Sequence, residues 1–203
     1  MIFPTLNFEQ ELWSQGFKLV CGIDEVGRGC FAGPVVAGAV VFPKDIILPT
    51  GIADSKLLTP QKREILTLEI KKVALFWAVG EISVLHINKL GIGKATQTAF
   101  RKAISNLSKT PDFYLIDAFF IKHLDKVKQK PIKFGDKICA SISAASIIAK
   151  VYRDDLMRKL HKIYPQYNFE QNKGYGTKDH RDAIKKHGLC KIHRTSFNLD
   201  KFL

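Results

Sequence analysis

Four acidic residues lie beside or within apolar runs, where a carboxylate is unusual. Asp24 and Glu25 follow the run LVCGI, and Asp117 interrupts the run FYLIDAFF. Asp136 directly precedes an Ala/Ile-rich stretch. Carboxylates are almost never buried unless they are paired or bind a metal ion, so these four residues are candidates for chemistry. For Asp136 taken alone, capping of a helix N-terminus is a sufficient explanation.

The chemistry that such a set of acids would support is metal-assisted hydrolysis. Oxygen-only ligands suit Mg²⁺ or Mn²⁺, and two such ions about 4 Å apart can activate water and stabilise the leaving oxygen of a phosphodiester. The sequence has no His-rich spacing that would suggest zinc. Its four cysteines are scattered and form no C-x-x-C pair, so neither a zinc site nor a disulfide framework is indicated. Spacing alone leaves open whether the four acids converge, since the chain topology must bring them together.

The elements that would position these acids alternate between strands and helices. Apolar runs predict strands within residues 19–28 and at 35–42, 76–83 and 113–120. Helices are predicted at about 60–73, 91–108, about 137–164 and 178–187. Thr59 and Pro60 have the residue types of an N-cap and a first helical position. The charged segment 123–137 is predicted to be a connection, and the whole order indicates an α/β protein with helices packed on a sheet.

The basic charge of the chain is concentrated in its second part. The net charge is +13, from 32 Lys and Arg against 19 Asp and Glu. Residues 1–119 hold 13 basic and 11 acidic residues, whereas residues 120–203 hold 19 basic and 8 acidic residues. Such an excess suits contacts with the phosphates of a nucleic acid, although a solvated basic surface without a partner would look the same.

The remaining totals are typical of a folded protein that does not enter a membrane. Hydrophobic residues make up 46% of the chain, enough for a sizeable core. No apolar run is long enough to span a bilayer, and the N-terminal sequence MIFPTLNFEQELW lacks the pattern of a signal peptide. We therefore expect a cytoplasmic protein with a single domain.

Six segments resemble bacterial ribonuclease HII, the type 2 ribonuclease H family, in order and in approximate spacing. They are GIDEVGRGCFAGPVVAGAVVF (22–42), ADSKLL (53–58), LIDA (115–118), GDKICASISAASIIAKVYRD (135–154), NKGYGTKDH (172–180) and IHRTSF (192–197). The resemblance implies an α/β, ribonuclease H-like fold, with a mixed central sheet flanked by helices and a small helical C-terminal part. It implies one catalytic domain over residues 1–203, in which residues 165–203 form a basic substrate-binding part.

The same resemblance assigns the activity and its acids. It implies an endoribonuclease that cuts RNA in RNA–DNA hybrids and also cuts on the 5′ side of single ribonucleotides in duplex DNA, leaving 3′-hydroxyl and 5′-phosphate ends. Carried over by position, the catalytic residues and ligands of Mg²⁺ or Mn²⁺ are Asp24, Glu25, Asp117 and Asp136. We expect the protein to be a monomer.

A short glycine-rich segment is implied to recognise the ribonucleotide. Gly27, Arg28 and Gly29 match the family loop that contacts it. Glycines allow close approach of the backbone, whose polar groups can probe a 2′-hydroxyl, and the Arg28 guanidinium can bind a phosphate with two hydrogen bonds. Without the resemblance, a tight turn with a solvated arginine would be the simpler interpretation.

Further substrate contacts are implied at four positions. Tyr175 matches a tyrosine that stacks on the sugar next to the ribonucleotide, and Lys56, Ser146 and Lys150 resemble positions near the substrate phosphates. For a single tyrosine, partial burial in the core is the plainer alternative, and Lys150 could simply extend its ammonium group to solvent.

Several nearby residues are predicted to have structural or surface roles. Arg153 and Asp154 are interpreted as a structural ion pair, and His193 and Arg194 as part of a basic surface. Phe119 and its neighbour are bulkier than the resemblance leads us to expect, and they could reshape the wall of the site. The ending NLDKFL is a candidate peptide for binding a sliding clamp, although short apolar ends commonly just pack.

Three alternatives to a type 2 ribonuclease H remain. Type 3 ribonuclease H has the same fold, but the short stretch before Asp24 and the presence of Arg28 favour type 2. A basic RNA-binding protein without catalytic activity would explain the charge but not the acids within apolar runs. Another nuclease of this fold, such as a resolvase, would lack the GRG and GYGT segments.

Overall fold

One mixed β-sheet forms the centre of the protein. The computed structural model describes residues 3–55 and 57–203. Within these residues, the strands are β1 (Val20–Val26), β2 (Val35–Val41), β3 (Phe76–Ile82), β4 (Phe113–Asp117) and β5 (Gln129–Ile132). The sheet order is β3-β2-β1-β4-β5. The β1–β2 and β2–β3 pairs are antiparallel, while β1–β4 and β4–β5 are parallel.

Helices cover both faces of the sheet. They are α1 (Asn7–Ser14), α2 (Pro60–Val73), α3 (Val84–Leu90), α4 (Ile92–Ser105), α5 (Gly135–Ile138), α6 (Ala140–Ile163), α7 (Phe169–Asn172) and α8 (Lys178–His187). On one face α4 buries Ala95, Ala99 and Phe100 against β1 and β2. On the opposite face α2 and α6 pack together and against the sheet. The predicted α/β fold, a mixed sheet flanked by helices, is confirmed.

The central helix α6 lies unusually close to the sheet. A Cβ atom on Gly38 of β2 would lie 2.2 Å from the carbonyl oxygen of Ala145, and one on Gly22 of β1 would lie 2.2 Å from the backbone of Ser141. Only glycine leaves room for this contact between two backbones. The first half of α6 is buried as predicted, and its side chains therefore reach the end of β1.

The boundaries of several helices follow their sequence signals. Thr59 accepts a hydrogen bond from the N–H of Lys62, and Pro60 begins α2, as predicted. The predicted long helix from Lys137 is interrupted, however, because Cys139 is extended, with φ −113° and ψ 123°. The short helix α5 precedes this break, and α6 begins only at Ala140.

The prediction of a plain connection at residues 123–137 is wrong. Gln129–Ile132 forms β5, the edge strand that pairs with β4. Lys130 and Pro131 lie in the middle of this strand, and their types argue against a central strand. An edge strand accepts both residues, since one side of its backbone needs no partner. Helices α1 and α3 were not predicted either.

The C-terminal residues form the small helical part that was expected. Tyr167, Phe169 and Ile184 pack with Met157 of α6 and with Ala32 from the β1–β2 connection. This packing places the C-terminal part, with α7 and α8, beside the GRG segment (residues 27–29). None of the helices in residues 3–55 and 57–203 has the length and apolar character needed to cross a bilayer.

Candidate active site at the carboxyl ends of β1 and β4

Two of the predicted acids meet because they lie at matching positions near the carboxyl ends of two neighbouring parallel strands. Ile23 of β1 pairs with Ile116 of β4, and the next residues are Asp24 and Asp117. The carboxyl ends of parallel strands lie at the same edge of a sheet. The Asp24 side chain is only 5% exposed, and its Oδ1 atom accepts a hydrogen bond of 2.7 Å from the N–H of Glu25.

The segment that carries Asp136 is held at the end of β4 by a hydrogen bond. Asp117 Oδ1 accepts from the N–H of Gly135, over 2.7 Å. Gly135 begins α5, which carries Asp136 in its first turn. A Cβ atom on Gly135 would lie 2.6 Å from the end of the Ile142 side chain, so a larger residue here would require that side chain to move. This contact brings Asp136 to the same edge as Asp24 and Asp117.

All four acids line one cavity of about 270 Å³, which we call the carboxylate cavity. The other predicted residues that line it are Gly27, Arg28, Gly29, Ser146, Lys150 and Tyr175. Ser55 also lines it and was not singled out from the sequence. Lys56 lies outside the described residues. The structure therefore brings together ten of the eleven predicted site residues, and their roles stay predictions.

The acids in this cavity disfavour one another's ionised forms. Burial raises the pKa of Asp24 well above its ordinary value, and the charges of Glu25, Asp117 and Asp136 raise it further, whereas a hydrogen bond from Ser146 lowers it. Burial likewise raises the pKa of Glu25 to about 7, although the nearby Arg28 guanidinium lowers it. Such clustering costs stability, which is common at functional sites.

The donor set suits a hard divalent cation. It contains only carboxylate oxygens, the ligands that Mg²⁺ and Mn²⁺ prefer. Glu25 Oε2 is buried and has no hydrogen-bond partner among the described residues, which is the state of an atom that awaits a ligand. In residues 3–55 and 57–203, no three acidic, His or Cys side chains yet have the arrangement to hold a metal ion. Rotation of the carboxylates about their side-chain bonds changes this arrangement, while the donor chemistry stays the same.

Two buried arginines contact the GRG segment, and one of them, Arg194, holds it by hydrogen bonds. Arg194 donates hydrogen bonds of 2.7 and 2.8 Å to the carbonyl oxygens of Gly27 and Arg28, and others to Gly33 and Pro34. Gly27 has φ +89°, and a Cβ atom on it would lie 2.1 Å from Arg153 Nε. The tight turn therefore depends on glycine at this position.

Two predictions about charged residues near the C-terminal part are wrong. His193 and Arg194 are fully buried rather than part of a basic surface, because Arg194 finds carbonyl partners in the β1–β2 connection. Arg153 and Asp154 are not paired with each other. Arg153 donates to carbonyl oxygens of residues 32, 34 and 173, while Asp154 pairs with Lys150 at 2.7 Å and Arg63 at 3.6 Å.

Arg28 lies at the border of the carboxylate cavity. Its guanidinium is 3.5 Å from Glu25 Oε1 and lies 4.6 Å from the centre of the Phe119 ring. The N–H groups of Arg28 and Gly29 make no hydrogen bond with the described residues, and Gly29 has open space on its side-chain side. The segment thus has two backbone donors without a hydrogen-bond partner among the described residues, while the carbonyl groups of Gly27 and Arg28 accept from Arg194.

Tyr175 is partly exposed at the cavity and is fixed through its backbone. The residue is 39% exposed, and burial of the hydroxyl raises the pKa of Tyr175 to about 12. The carbonyl oxygen of Tyr175 lies 2.9 Å from His180 Nδ1, and His180 Nε2 lies 3.1 Å from His193 Nε2. His193 Nδ1 accepts from the N–H of Cys190, so the proton of neutral His193 is on Nε2 and points at His180. His180 then carries its proton on Nδ1 and donates to Tyr175.

Comparisons with known proteins agree with this arrangement. The family model for ribonuclease HII matches residues 21–200. The chain is 49% identical over 191 residues to the ribonuclease HII of Chlamydia caviae, and the alignment covers 94% of this chain and 89% of that relative. This chain belongs to the ribonuclease HII family. Its membership supports ribonuclease H activity.

Solved structures share the fold of this chain. The ribonuclease H2 of Pyrococcus horikoshii superposes with a TM-score of 0.75 at 26% identity, over 91% of this chain and 96% of that one. Bst-RNase HIII in complex with Mn²⁺ superposes with a TM-score of 0.67 over 92% of this chain and 69% of that one. At 18% identity, the second likeness concerns the fold alone.

Two side chains of α6 also line the cavity that the four acids share. Ser146 hydrogen-bonds to Asp24 and lies 3.1 Å from the hydroxyl of Ser55. Lys150 donates to Asp154, and its ammonium lies 5.9 Å from the centre of the Tyr175 ring.

At the C-terminus, Phe202 packs against Phe31 at 5.5 Å between ring centres. Clamp binding by the ending stays a prediction.

Proposed function

We propose that this protein is a divalent-metal-dependent endoribonuclease that acts on RNA–DNA hybrids and on single ribonucleotides in duplex DNA. It cuts on the 5′ side of the ribonucleotide and leaves 3′-hydroxyl and 5′-phosphate ends. One observation carries the proposal: acids from distant parts of the chain share a cavity with the GRG segment and Tyr175. Membership of the ribonuclease HII family supports it.

The proposed cofactor is Mg²⁺ or Mn²⁺, held by Asp24, Glu25, Asp117 and Asp136. Bound there, such ions supply a water of lowered pKa and a positive charge beside the leaving 3′-oxygen. The protein's part is to hold the carboxylates close together against their mutual repulsion. The hydrogen bonds from Ser146 to Asp24 and from Gly135 to Asp117 do this, since each fixes the direction of one carboxylate.

Selection of a ribonucleotide is proposed for the GRG segment. The outward N–H groups of Arg28 and Gly29 can donate to a 2′-hydroxyl oxygen, the group that distinguishes RNA from DNA. The carbonyl oxygens of Gly27 and Arg28 already accept from Arg194 and are less available for this purpose. The Arg28 guanidinium lies 3.5 Å from Glu25 at the border of this cavity, where it can bind a phosphate with two hydrogen bonds.

Tyr175 is proposed to stack on the sugar that follows the ribonucleotide. Its ring is accessible, and its backbone is held by the His180–His193 pair. A flat ring against a sugar leaves little room for an additional hydroxyl group. This contact would make the enzyme prefer a deoxyribose at that position.

The decisive experiment is cleavage of a duplex DNA that contains one ribonucleotide. With Mg²⁺ or Mn²⁺ we expect a single cut on the 5′ side of the ribonucleotide, and no cut with EDTA. Binding without cleavage under all ion conditions would favour a basic RNA-binding protein instead. Cleavage of hybrids but not of the single-ribonucleotide duplex would favour a type 3 activity.

A further inference from the structure

A second cavity, larger than the carboxylate cavity, lies on the other side of Arg28. Its volume is about 590 Å³, and it lies between α4 and the segment that follows β4. Five basic side chains and Phe119 are prominent in its lining; the basic residues are Arg28, Lys94, Arg101, Lys122 and His123. None of the described residues that line it is acidic. We call it the cationic cavity.

We propose that the cationic cavity binds the sugar–phosphate backbone of the duplex on one flank of the cut site. This inference rests on the proposed function and adds to it the place where the flanking nucleic acid is held. The carboxylate cavity repels phosphates until cations neutralise it, so binding energy must come from beside it. Because Arg28 lines both cavities, a backbone that leaves one enters the other.

The start of α4 adds a second feature that favours an anion. Gly91 is its N-cap, with φ +76° and no side-chain hydrogen bond to the first turn, and that turn contains no acid. The first N–H groups of this 14-residue helix therefore lack a side-chain cap. Such groups and the helix dipole favour phosphate, and the first-turn residues Gly93 and Lys94 line the cavity.

Gly93 is not explained by packing within the protein. It lies in a helix, where glycine is less favourable than alanine, yet a Cβ atom on it would meet nothing within 4 Å. Neither the turn nor the core needs a glycine there. Close approach of a ligand backbone to the helix would need one.

The cavity is built before any ligand arrives. Gln97 of α4 accepts from the N–H of Lys122 at 2.7 Å and donates to the carbonyl oxygen of Phe120 at 3.0 Å. Arg101 also donates to the carbonyl oxygen of Lys122, at 3.5 Å. These bonds fix the segment after β4 against α4. The Phe119 ring in turn supports the Arg28 guanidinium.

The first test compares two charge reversals. Binding of a single-ribonucleotide duplex is measured in the Asp136→Asn background, to prevent cleavage, at several salt concentrations. We expect Lys94→Glu to weaken binding about ten-fold at 0.1 M salt and to lower the slope of log K against log salt by about one. Lys72→Glu, an equal charge change on α2 at the opposite face of the sheet, should do neither.

The second test locates the phosphate. Methylphosphonate linkages remove one backbone charge at a time from either strand of the duplex. We expect one or two such linkages, on one side of the ribonucleotide, to weaken binding of the Asp136→Asn protein. They should not weaken binding further when Lys94→Glu is added to the same background. Gly93→Ala should weaken binding as well, without lowering the melting temperature.

Each outcome bears on one proposal. If Lys94→Glu and Lys72→Glu have equal effects, or if no methylphosphonate position couples to Lys94, the cationic cavity does not hold the backbone. The proposed function is judged separately, by cleavage with the unaltered chain. If the protein cuts 5′ of the ribonucleotide but fails both binding tests, the proposed function stands and the proposal for the cationic cavity is rejected.

Discussion

Buried charge is treated in opposite ways at the carboxylate cavity and in the C-terminal part. At the cavity, Asp24 is surrounded by other acids, and Glu25 Oε2 has no hydrogen-bond partner among the described residues. In the C-terminal part, Arg194 is fully buried, and its guanidinium donates five hydrogen bonds to carbonyl oxygens. The difference separates a charge that awaits a ligand from one that completes the fold.

The two regions are connected, because the C-terminal part positions a segment that lines the carboxylate cavity. Arg194 fixes the GRG segment by hydrogen bonds and Arg153 packs against Gly27, and this segment borders the unsatisfied acids. We expect substitutions at the cavity to affect catalysis more than stability, and substitutions in the C-terminal part to affect stability first.

The largest effect is expected at the cavity. Asp136→Asn should lower the rate of cleavage by on the order of a thousand-fold, because a ligand of the proposed cations loses its charge. The melting temperature without divalent ions should stay equal or rise, because repulsion of Asp24 is relieved. Single-turnover cleavage and thermal unfolding measure the two quantities. Asp45→Asn, at an exposed acid, is the control, and near-normal cleavage by Asp136→Asn would remove the site assignment.

The opposite result is expected for Arg194. Arg194→Lys should lower the free energy of unfolding by about 2–3 kcal/mol, because one ammonium group cannot replace a planar guanidinium that bonds four different carbonyl groups. Urea titration measures this loss. Arg158→Lys, at the surface, should change stability by less than about 0.5 kcal/mol. Equal stability of both variants would show that burial of Arg194 has no structural role.

Two glycines of one turn should respond differently. Gly27→Ala should destabilise the protein by about 1–3 kcal/mol, since its φ is positive and the added Cβ would overlap Arg153. Gly29→Ala meets open space and should leave the melting temperature unchanged. It should nevertheless slow cleavage at a single ribonucleotide, by hindering approach to its N–H group. If both variants lose stability equally, the outer side of the turn is not free for substrate.

The smallest effect is expected from pH. Burial lowers the pKa of His193 to about 4, so unfolded chains bind more protons than folded chains between that value and about 6.5. The contribution of His193 to stability is therefore present above about pH 6.5 and lost as the pH falls toward 4. Urea titrations at pH 7 and pH 5 measure this dependence.

A variant isolates the histidine from the acids. Glu25, with its pKa raised to about 7, acts in the opposite direction and stabilises the folded state as the pH falls. His193→Gln keeps Glu25, so the difference between the two proteins reports the histidine. We expect the variant to lose less stability than the parent protein between pH 7 and pH 5. An equal loss would mean that the His180–His193 pair does not resist protonation.

The sequence predicted those features that depend on local pattern. Thr59 and Pro60 mark the start of α2, and the acids at the ends of apolar runs marked the edge of the sheet. The family resemblance, rather than spacing, indicated that the four acids belong together. β5 was missed because Lys130 and Pro131 suit only an edge strand, and an edge position is a property of the folded sheet.

The buried cations could not be predicted from pattern. His193 and Arg194 lie in a basic tail, and only their contacts with residues far away in sequence explain why they are buried. The role of His180 was missed for the same reason, because its partner is in another segment. An IHR sequence gives no sign that its side chains point inward.

One uninterrupted helix, α6, contributes Ser146 to the carboxylate cavity and Arg153 and Met157 to the contacts with the C-terminal part. Arg153 of this helix donates to the carbonyl oxygen of Lys173, which ties the segment that carries Tyr175 to α6. The distance between the acids and Tyr175 is therefore constrained before substrate binds. If Tyr175 rests on a sugar, the protein works as a gauge, and the bond that it breaks lies at a fixed distance from that sugar.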